Sequence, residues 1–328
     1  MTQHYTVYGS DFSLFTMKLE AALTFYRADY ERVRKTPELA GKIENRSGTH
    51  QVPVLQTPEN WMLGDTTPIL QLLDGRFPGR EMFPQGRDGN GALGILTQII
   101  EDYFDEWVAR TMVHYRWHYE ECAVFASERM TGGNAEAAVQ IRDWGPRACR
   151  ATGTESKHQQ EQAEAEYMRI MQAVEAQLAL TPYMLGARPS AVDCILLGGL
   201  RAHTNKDPVP RRAIAKFERV VQWAEQTADQ WDGQGEWAAF PESTPFVQFV
   251  LGEMQNTYVP FVLGNADAFN AKAKAFHTEI YAEDVSFLCR AYPETSRQMI
   301  RDRIGGLGDE QKFLSGWLAE QKLDVCFA

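Results

Sequence analysis

Three short stretches of this chain could each present free backbone N–H groups to a ligand. Ser13 opens a helical run, Ser13-Leu14-Phe15-Thr16-Met17-Lys18, just after a short strand from Tyr5 to Tyr8. Pro53 stands inside a strand-like run, Gln51-Val52-Pro53-Val54-Leu55-Gln56. Asp65-Thr66 opens an apolar helical run that reaches Leu73, with Pro68 in its first turn. A serine at a helix start can simply cap the helix. It can also stabilise a thiolate, because the helix dipole and hydroxyl donation both favour negative charge there. Lowering a free thiol from about 8.5 by two units leaves it mostly ionised at neutral pH. A proline cannot donate to a sheet ladder, so Pro53 marks a strand start or edge. A cis Val52–Pro53 bond would turn the Val52 N–H and C=O outward, to pair with an extended peptide as an added strand would. At the third stretch, free N–H groups suit a carboxylate and Asp65 suits an ammonium. One site with both fits the α-amino-acid end of a ligand.

The elements that must position these residues follow from patterning. Up to about residue 84, short strands alternate with helices, with a strand near Tyr30–Arg34, a helical turn from Pro37, and a short strand at Trp61–Gly64. The stretch from Phe83 to Gly91 is rich in glycine and charge and reads as a linker. Beyond it Leu93, Leu96, Ile99, Ile100, Tyr103, Trp107 and Val108 lie at helical spacing, in a pattern that extends toward Phe125. A polar loop is expected from about Thr131 to Gln160, then a helix from about Glu161 to Leu180. Ser190 and Asp193, ahead of Cys194-Ile195-Leu196-Leu197-Gly198-Gly199-Leu200, form a capping-box pattern. The glycine pair weakens that helix by about 1 kcal/mol per residue and so implies close backbone packing. Past the turn-rich Asp232-Gly233-Gln234-Gly235, helices are expected near Pro245–Gln255, Ala266–Ala275, Ala282–Arg290 and Asp309–Gln321.

In this order and spacing, the serine, the Val-Pro and the acid-hydroxyl pair resemble the glutathione transferase superfamily. The resemblance covers about residues 4 to 231, and the Ser190/Asp193 box is similar to the buried capping box of that family's helical domain. It implies an α/β thioredoxin-like N-terminal domain followed by an all-α C-terminal domain, the glutathione transferase fold. Residues 1–84 would bind glutathione, 92–231 would be the helical domain that supplies the electrophile pocket, and 232–328 would be an additional helical extension. That extension could cover the pocket or enlarge a dimer surface. Carried over by position, Ser13 would stabilise the glutathione thiolate. The Val52 backbone ahead of Pro53 would pair with the cysteinyl amide, and Asp65 and Thr66 would hold the γ-glutamyl group. Gln51, or else His50, would meet the glycyl carboxylate. Tyr8 is the alternative hydroxyl, since some transferases use a tyrosine on the first strand. Leu14 stands where a proline usually follows the serine, and Asp65-Thr66 where Glu-Ser is more frequent.

The implied reaction is attack of the bound thiolate on a hydrophobic electrophile, with glutathione as co-substrate and no metal. The implied setting is a cytoplasmic homodimer with a role in detoxification. Two other readings share the fold: a binding protein without turnover, and an isomerase or dehalogenase that does not consume glutathione. No cysteine precedes Cys122, so thiol–disulfide exchange of the glutaredoxin, omega-type or glutathionyl-hydroquinone reductase kind is not expected.

Composition agrees. At 328 residues, two domains or one with a large extension are expected. A net charge of -11 argues against nucleic acid and anionic membranes as partners. The mean hydropathy of -0.39 and the lack of an 18-residue apolar run argue against a membrane span. The chain enters its first strand directly, so no secretory leader is expected. Five scattered cysteines read as packing residues in a reducing compartment. His114 and His118, four apart on one helix face, have no third metal ligand at recognisable spacing and read as part of an aromatic packing face.

Overall fold

The computed structural model describes residues 4–84, 91–225 and 227–327. The expected linker at Phe83–Gly91 falls largely on residues 85–90, outside the described residues.

The N-terminal sheet is built from β1 (His4–Gly9), β2 (Asp29–Arg34), β3 (Val54–Gln56) and β4 (Met62–Leu63), in the order β2-β1-β3-β4. β1 and β2 are parallel, with His4 opposite Asp29, whereas β3 runs antiparallel to β1, with Tyr8 opposite Val54. The parallel pair needs a crossover, which α1 (Leu14–Tyr26) provides. α2 (Pro37–Ser47) and α3 (Thr66–Asp74) complete this layer. Side chains alternate along β1: Tyr5 and Val7 are fully buried in the main core, whereas Tyr8 packs with Ile43, Val54 and Met62 in a small separate cluster. The expected α/β half is therefore present.

The rest is mostly helical. α4 (Gly91–Asp102) passes through a π-helical turn, Tyr103–Val108, into α5 (Ala109–His118). The backbone then turns extended at Tyr119, and α6 (Glu120–Met130) follows, so the expected long helix is in fact three segments. α7 (Ala135–Ala151) fills most of the stretch expected as a polar loop. Its polar face misled, and Gly145-Pro146 inside it reads as a breaker; Gly145 sits where a Cβ would fall 3.0 Å from the Trp117 side chain. α8 (Lys157–Leu178) precedes α9 (Ala191–Gly199). The capping box forms: Asp193 accepts from the Ser190 N–H and hydroxyl, each at 2.8 Å, and from the Met184 N–H at 2.8 Å. Burial pushes its carboxyl up to about 6, against the pull of these bonds.

α9 lies directly against α1. A Cβ on Gly198 would fall 2.7 Å from the Leu14 carbonyl oxygen and 2.8 Å from the Lys18 nitrogen. The glycine pair is thus explained by close approach of the two backbones, which joins the sheet layer to the helices.

After α10 (Pro208–Ile214) and α11 (Glu218–Ala224), α12 (Pro245–Met254) and α13 (Tyr258–Asn270) lead into a two-stranded hairpin, β5 (Ala275–Ile280) and β6 (Glu283–Leu288). The helix expected at Ala282–Arg290 is therefore a strand. α13 begins at Tyr258, eight residues ahead of the helix expected at Ala266–Ala275. The chain ends in α14 (Ala291–Gly305), α15 (Glu310–Glu320) and α16 (Asp324–Phe327). Among the described residues no helix is long and apolar enough to cross a membrane.

Candidate functional site

Ser13 caps α1. Its N–H donates to the Ser10 carbonyl at 3.0 Å, and its Oγ accepts the Thr16 N–H at 3.3 Å. The loop that carries it is fastened from the helical side. Arg116 on α5, almost fully buried, donates to the Phe12 carbonyl at 2.7 Å and to the Ala202 carbonyl at 2.6 Å, and pairs with Asp207 at 2.9 Å. Multiple donors on one planar guanidinium fix this turn more firmly than a lysine could.

The Val52–Pro53 peptide is cis. Pro53 is buried at the entry to β3, while Val52 and the exposed Gln51 lie at its rim. Asp65, between β4 and α3, has φ +67° and ψ +115°, a conformation that costs a non-glycine residue about 1–3 kcal/mol and persists only where its surroundings enforce it. Its half-buried carboxylate is pushed up by burial, with Lys18 pulling the other way. Gln51, Val52, Pro53, Asp65 and Thr66 line one cleft of about 560 Å³ of solvent-open space, together with Phe15, Thr49, Asp105, Glu106, Arg290 and Tyr292. Ser13 is not among the lining residues, whereas Phe15, two positions on, is.

Two ion clusters floor the cleft. Lys18, fully buried, donates to Asp105 at 2.6 Å and to Glu101, and the Thr67 hydroxyl donates to the same Glu101 oxygen at 2.6 Å. Burial alone would pull the Lys18 ammonium down; Asp105 and Glu101 outweigh it and hold it above its ordinary value. Asp105 itself is pushed up by burial and by Glu101, against Lys18. Glu106 pairs with Arg290 at 3.0 Å, and the same guanidinium donates to the Glu106 carbonyl at 3.2 Å. Arg290 follows β6 and is clamped by the buried Asn265 of α13, which accepts the Arg290 N–H at 2.9 Å and donates to the Arg290 carbonyl at 3.0 Å. The C-terminal region thus supplies one wall of the cleft, which settles where its residues 290 and 292 lie.

A second cavity, with about 510 Å³ of space that includes open solvent, shares Phe15, Asp105, Glu106 and Arg290 with the first. Trp107, Arg110, Phe261 and Phe287 line its far side. It is more apolar than its neighbour and draws on the π-helical turn, α13 and β6.

Of the other residues singled out, Tyr8 donates its hydroxyl to Gln56 Oε1 at 3.0 Å and does not line the cleft. His50 is exposed, with its carbonyl accepting from Lys35 at 2.6 Å. His114 is buried, shares a 2.7 Å hydrogen bond with Glu164, and stacks on His118 with ring centroids 4.9 Å apart. Asp105, Glu106, Arg290 and Tyr292, which also line the cleft, belong to none of the motifs in the sequence. The one local signal for the acids was a Glu-Asp-x-x-Asp-Glu run, Glu101 to Glu106, inside an otherwise apolar helix.

No curated protein matches the chain. Among solved structures, a glutathione S-transferase from Rhodospirillum rubrum F11 is 13% identical with a TM-score of 0.47, covering 75% of this chain and 99% of that one. The beta-etherase LigF from Sphingobium sp. strain SYK-6 is likewise 13% identical with a TM-score of 0.47, covering 77% and 100%. A glutathione S-transferase from Methylobacterium radiotolerans JCM 2831, in complex with glutathione sulfonate, is 16% identical with a TM-score of 0.43, covering 74% and 99%. The glutathione S-transferase N-terminal domain family matches residues 7–81, the half that carries Pro53 and Asp65. The family's C-terminal domain matches residues 128–230, which hold the capping box and the α9 glycines. With both domains matched in order over more than half its length, the chain belongs to the glutathione S-transferase family.

Proposed function

We propose that the protein is a glutathione transferase that joins the sulfur of glutathione to an electrophilic carbon. The observation that carries this reading is the convergence of Gln51, Val52, Pro53, Asp65 and Thr66 on one cleft that shares a wall with an apolar second cavity. In this reading the start of α3 takes the α-amino-acid end of glutathione: free N–H groups receive its carboxylate, and Asp65 receives its ammonium. The Val52 backbone takes the cysteinyl amide, and Gln51 the glycyl end. The second cavity takes the electrophile.

Ser13 acts on the sulfur. Capping and catalysis do not compete for its hydroxyl, which has one donor and two acceptor positions. Oγ accepts from Thr16 N–H and still has its own hydrogen to donate to a thiolate. The thiol proton leaves to solvent. The sulfur lone pair then forms the S–C bond, and the electrophile's leaving group departs with the bonding pair, or an activated double bond takes up a proton instead. We extend the proposal to a cytoplasmic homodimer with a role in detoxification.

The test is the melting temperature with and without millimolar glutathione. Ligand at 100 times its dissociation constant adds about 2.7 kcal/mol to stability. A clear upward shift is expected, reduced in Asp65→Ala. Ser13→Ala is expected to keep the shift and lose most turnover. Absence of any shift in the unsubstituted protein overturns the reading.

A further inference from the structure

Arg110, at the start of α5, is only 3% exposed. Buried charges are ordinarily paired and hydrogen-bonded, because removing them from water is otherwise too costly. Yet none of the three guanidinium nitrogens of Arg110 makes a well-formed hydrogen bond among the described residues; the Tyr281 hydroxyl and the Glu166 carboxylate are the polar groups beside it. The guanidinium lies 3.9 Å from the Trp107 ring centroid. Its nearest carboxylate, Glu166, is 4.0 Å away, beyond hydrogen-bond reach. Glu166 is engaged elsewhere: it accepts from the Tyr103 hydroxyl at 2.7 Å, Trp107 Nε1 at 2.9 Å and the Tyr281 hydroxyl at 2.7 Å.

Arg110 lines the second cavity, among Phe15, Trp107, Phe261 and Phe287. The two acids on the same wall already have cations of their own, Asp105 from Lys18 and Glu106 from Arg290. Arg110 is therefore the buried cation lining this cavity, among the described residues, whose donors are not taken up by a carboxylate. A planar guanidinium with free N–H groups matches a carboxylate, which it can receive through two parallel bonds. Ring-lined walls match an aromatic body.

We infer that the electrophile taken by this cavity is an aromatic carboxylate, its rings among the aromatic side chains and its anionic end on Arg110. The assignment rests on the transferase reading for the role of the ligand as co-substrate; the anion site itself rests on Arg110.

The experiment titrates two inert, shape-matched probes, 2-naphthoate and its neutral amide 2-naphthamide, into the full-length protein by calorimetry. Naphthoate is expected to bind about tenfold or more tighter, the scale of a charge-assisted hydrogen bond. Arg110→Gln is expected to erase that preference. Equal affinity of the two probes, or a preference that survives Arg110→Gln, overturns the inference. Should Arg110→Gln fail to fold, Arg110→Lys keeps the charge and loses the two-pronged donor. Its preference is expected to fall several-fold, and an unchanged preference there also overturns the assignment. The glutathione melting shift is read separately. A shift without a naphthoate preference sinks the anion site alone. A preference without a shift keeps the anion site and removes the co-substrate role.

Discussion

Lys18 and Arg110 are both buried cations, Lys18 behind the Asp105 wall that two neighbouring cavities share and Arg110 on the wall of the second, and they are treated oppositely. Lys18 is enclosed by two carboxylates and a threonine hydroxyl, at the seam where α1, α3 and α4 meet. Arg110 rests on an indole ring, with a carboxylate close by that three other donors already occupy. The first arrangement neutralises charge inside the molecule. The second leaves buried donor capacity beside an aromatic-lined cavity. The difference separates a charge kept for assembly from one kept for a ligand, and that difference can be tested through stability.

Removing one partner of a buried ion cluster strands the others without compensation, at a cost of about 3–5 kcal/mol. Lys18→Met is expected to lose that much, because Glu101 and Asp105 would be left facing each other at the base of α3. Urea unfolding measures it. Arg110→Gln is expected to lose far less, about 0.5–2 kcal/mol, the worth of a cation resting on an aromatic face. A Lys18→Met variant as stable as Arg110→Gln would break the comparison.

Asp102 gives a third case, a buried acid with no ion pair among the described residues. It accepts the Tyr258 hydroxyl and lies 2% exposed. Burial, with Glu106 adding to it, pushes its carboxyl up to about 8. A proton takes the place of the missing cation. The unfolded value is about 3.9, so between about pH 4 and 8 the folded chain holds a proton that the unfolded chain releases. Stability from this group is complete below pH 4 and is lost as pH rises toward 8, by about 1.4 kcal/mol per unit. Unfolding between pH 6 and 8 should therefore show a falling stability, flattened in Asp102→Asn. An equally steep fall in the variant would assign the slope to other groups.

How far the sequence reveals these features depends on their range. β1, α1, the Pro53 edge and the α3 start are written in local pattern, and so is the Ser190–Asp193 cap. The hairpin β5–β6 alternates well, with Phe276 and Ile280 facing Phe287 and Glu283 across the ladder. Its turn, however, is Tyr281-Ala282, both at positive φ (53° and 60°), where asparagine or glycine is the usual marker. Lacking that marker, the segment reads as helix. The cleft residues at 51–53 and 65–66 are legible because each sits at an element start. Arg290 and Tyr292 reach the same cleft only through tertiary docking of the C-terminal region, which leaves no local trace. Arg110 is opaque for a stronger reason: whether a buried cation is paired is a property of the assembled core.

A difference between two neighbouring glycines sharpens the comparison at the α1–α9 contact. A Cβ on Gly198 would press on the Leu14 carbonyl and on the Lys18 nitrogen and Cβ, the last at 3.0 Å. These are backbone or near-backbone atoms that can yield only if the helices part. Overpacking of this kind costs about 1–3 kcal/mol. On Gly199 the added methyl meets the terminal Cε and Sδ of Met112, at 2.2 and 2.9 Å, the flexible end of an adaptable side chain. Gly198→Ala should therefore lower the unfolding free energy more than Gly199→Ala. Because the strain enters at Lys18 and not at Arg110, the naphthoate preference should persist in both. A preference lost in Gly198→Ala would mean that the paired and unpaired cations are coupled through α1, and that Phe15, three residues before Lys18 and on both cavity walls, carries the coupling.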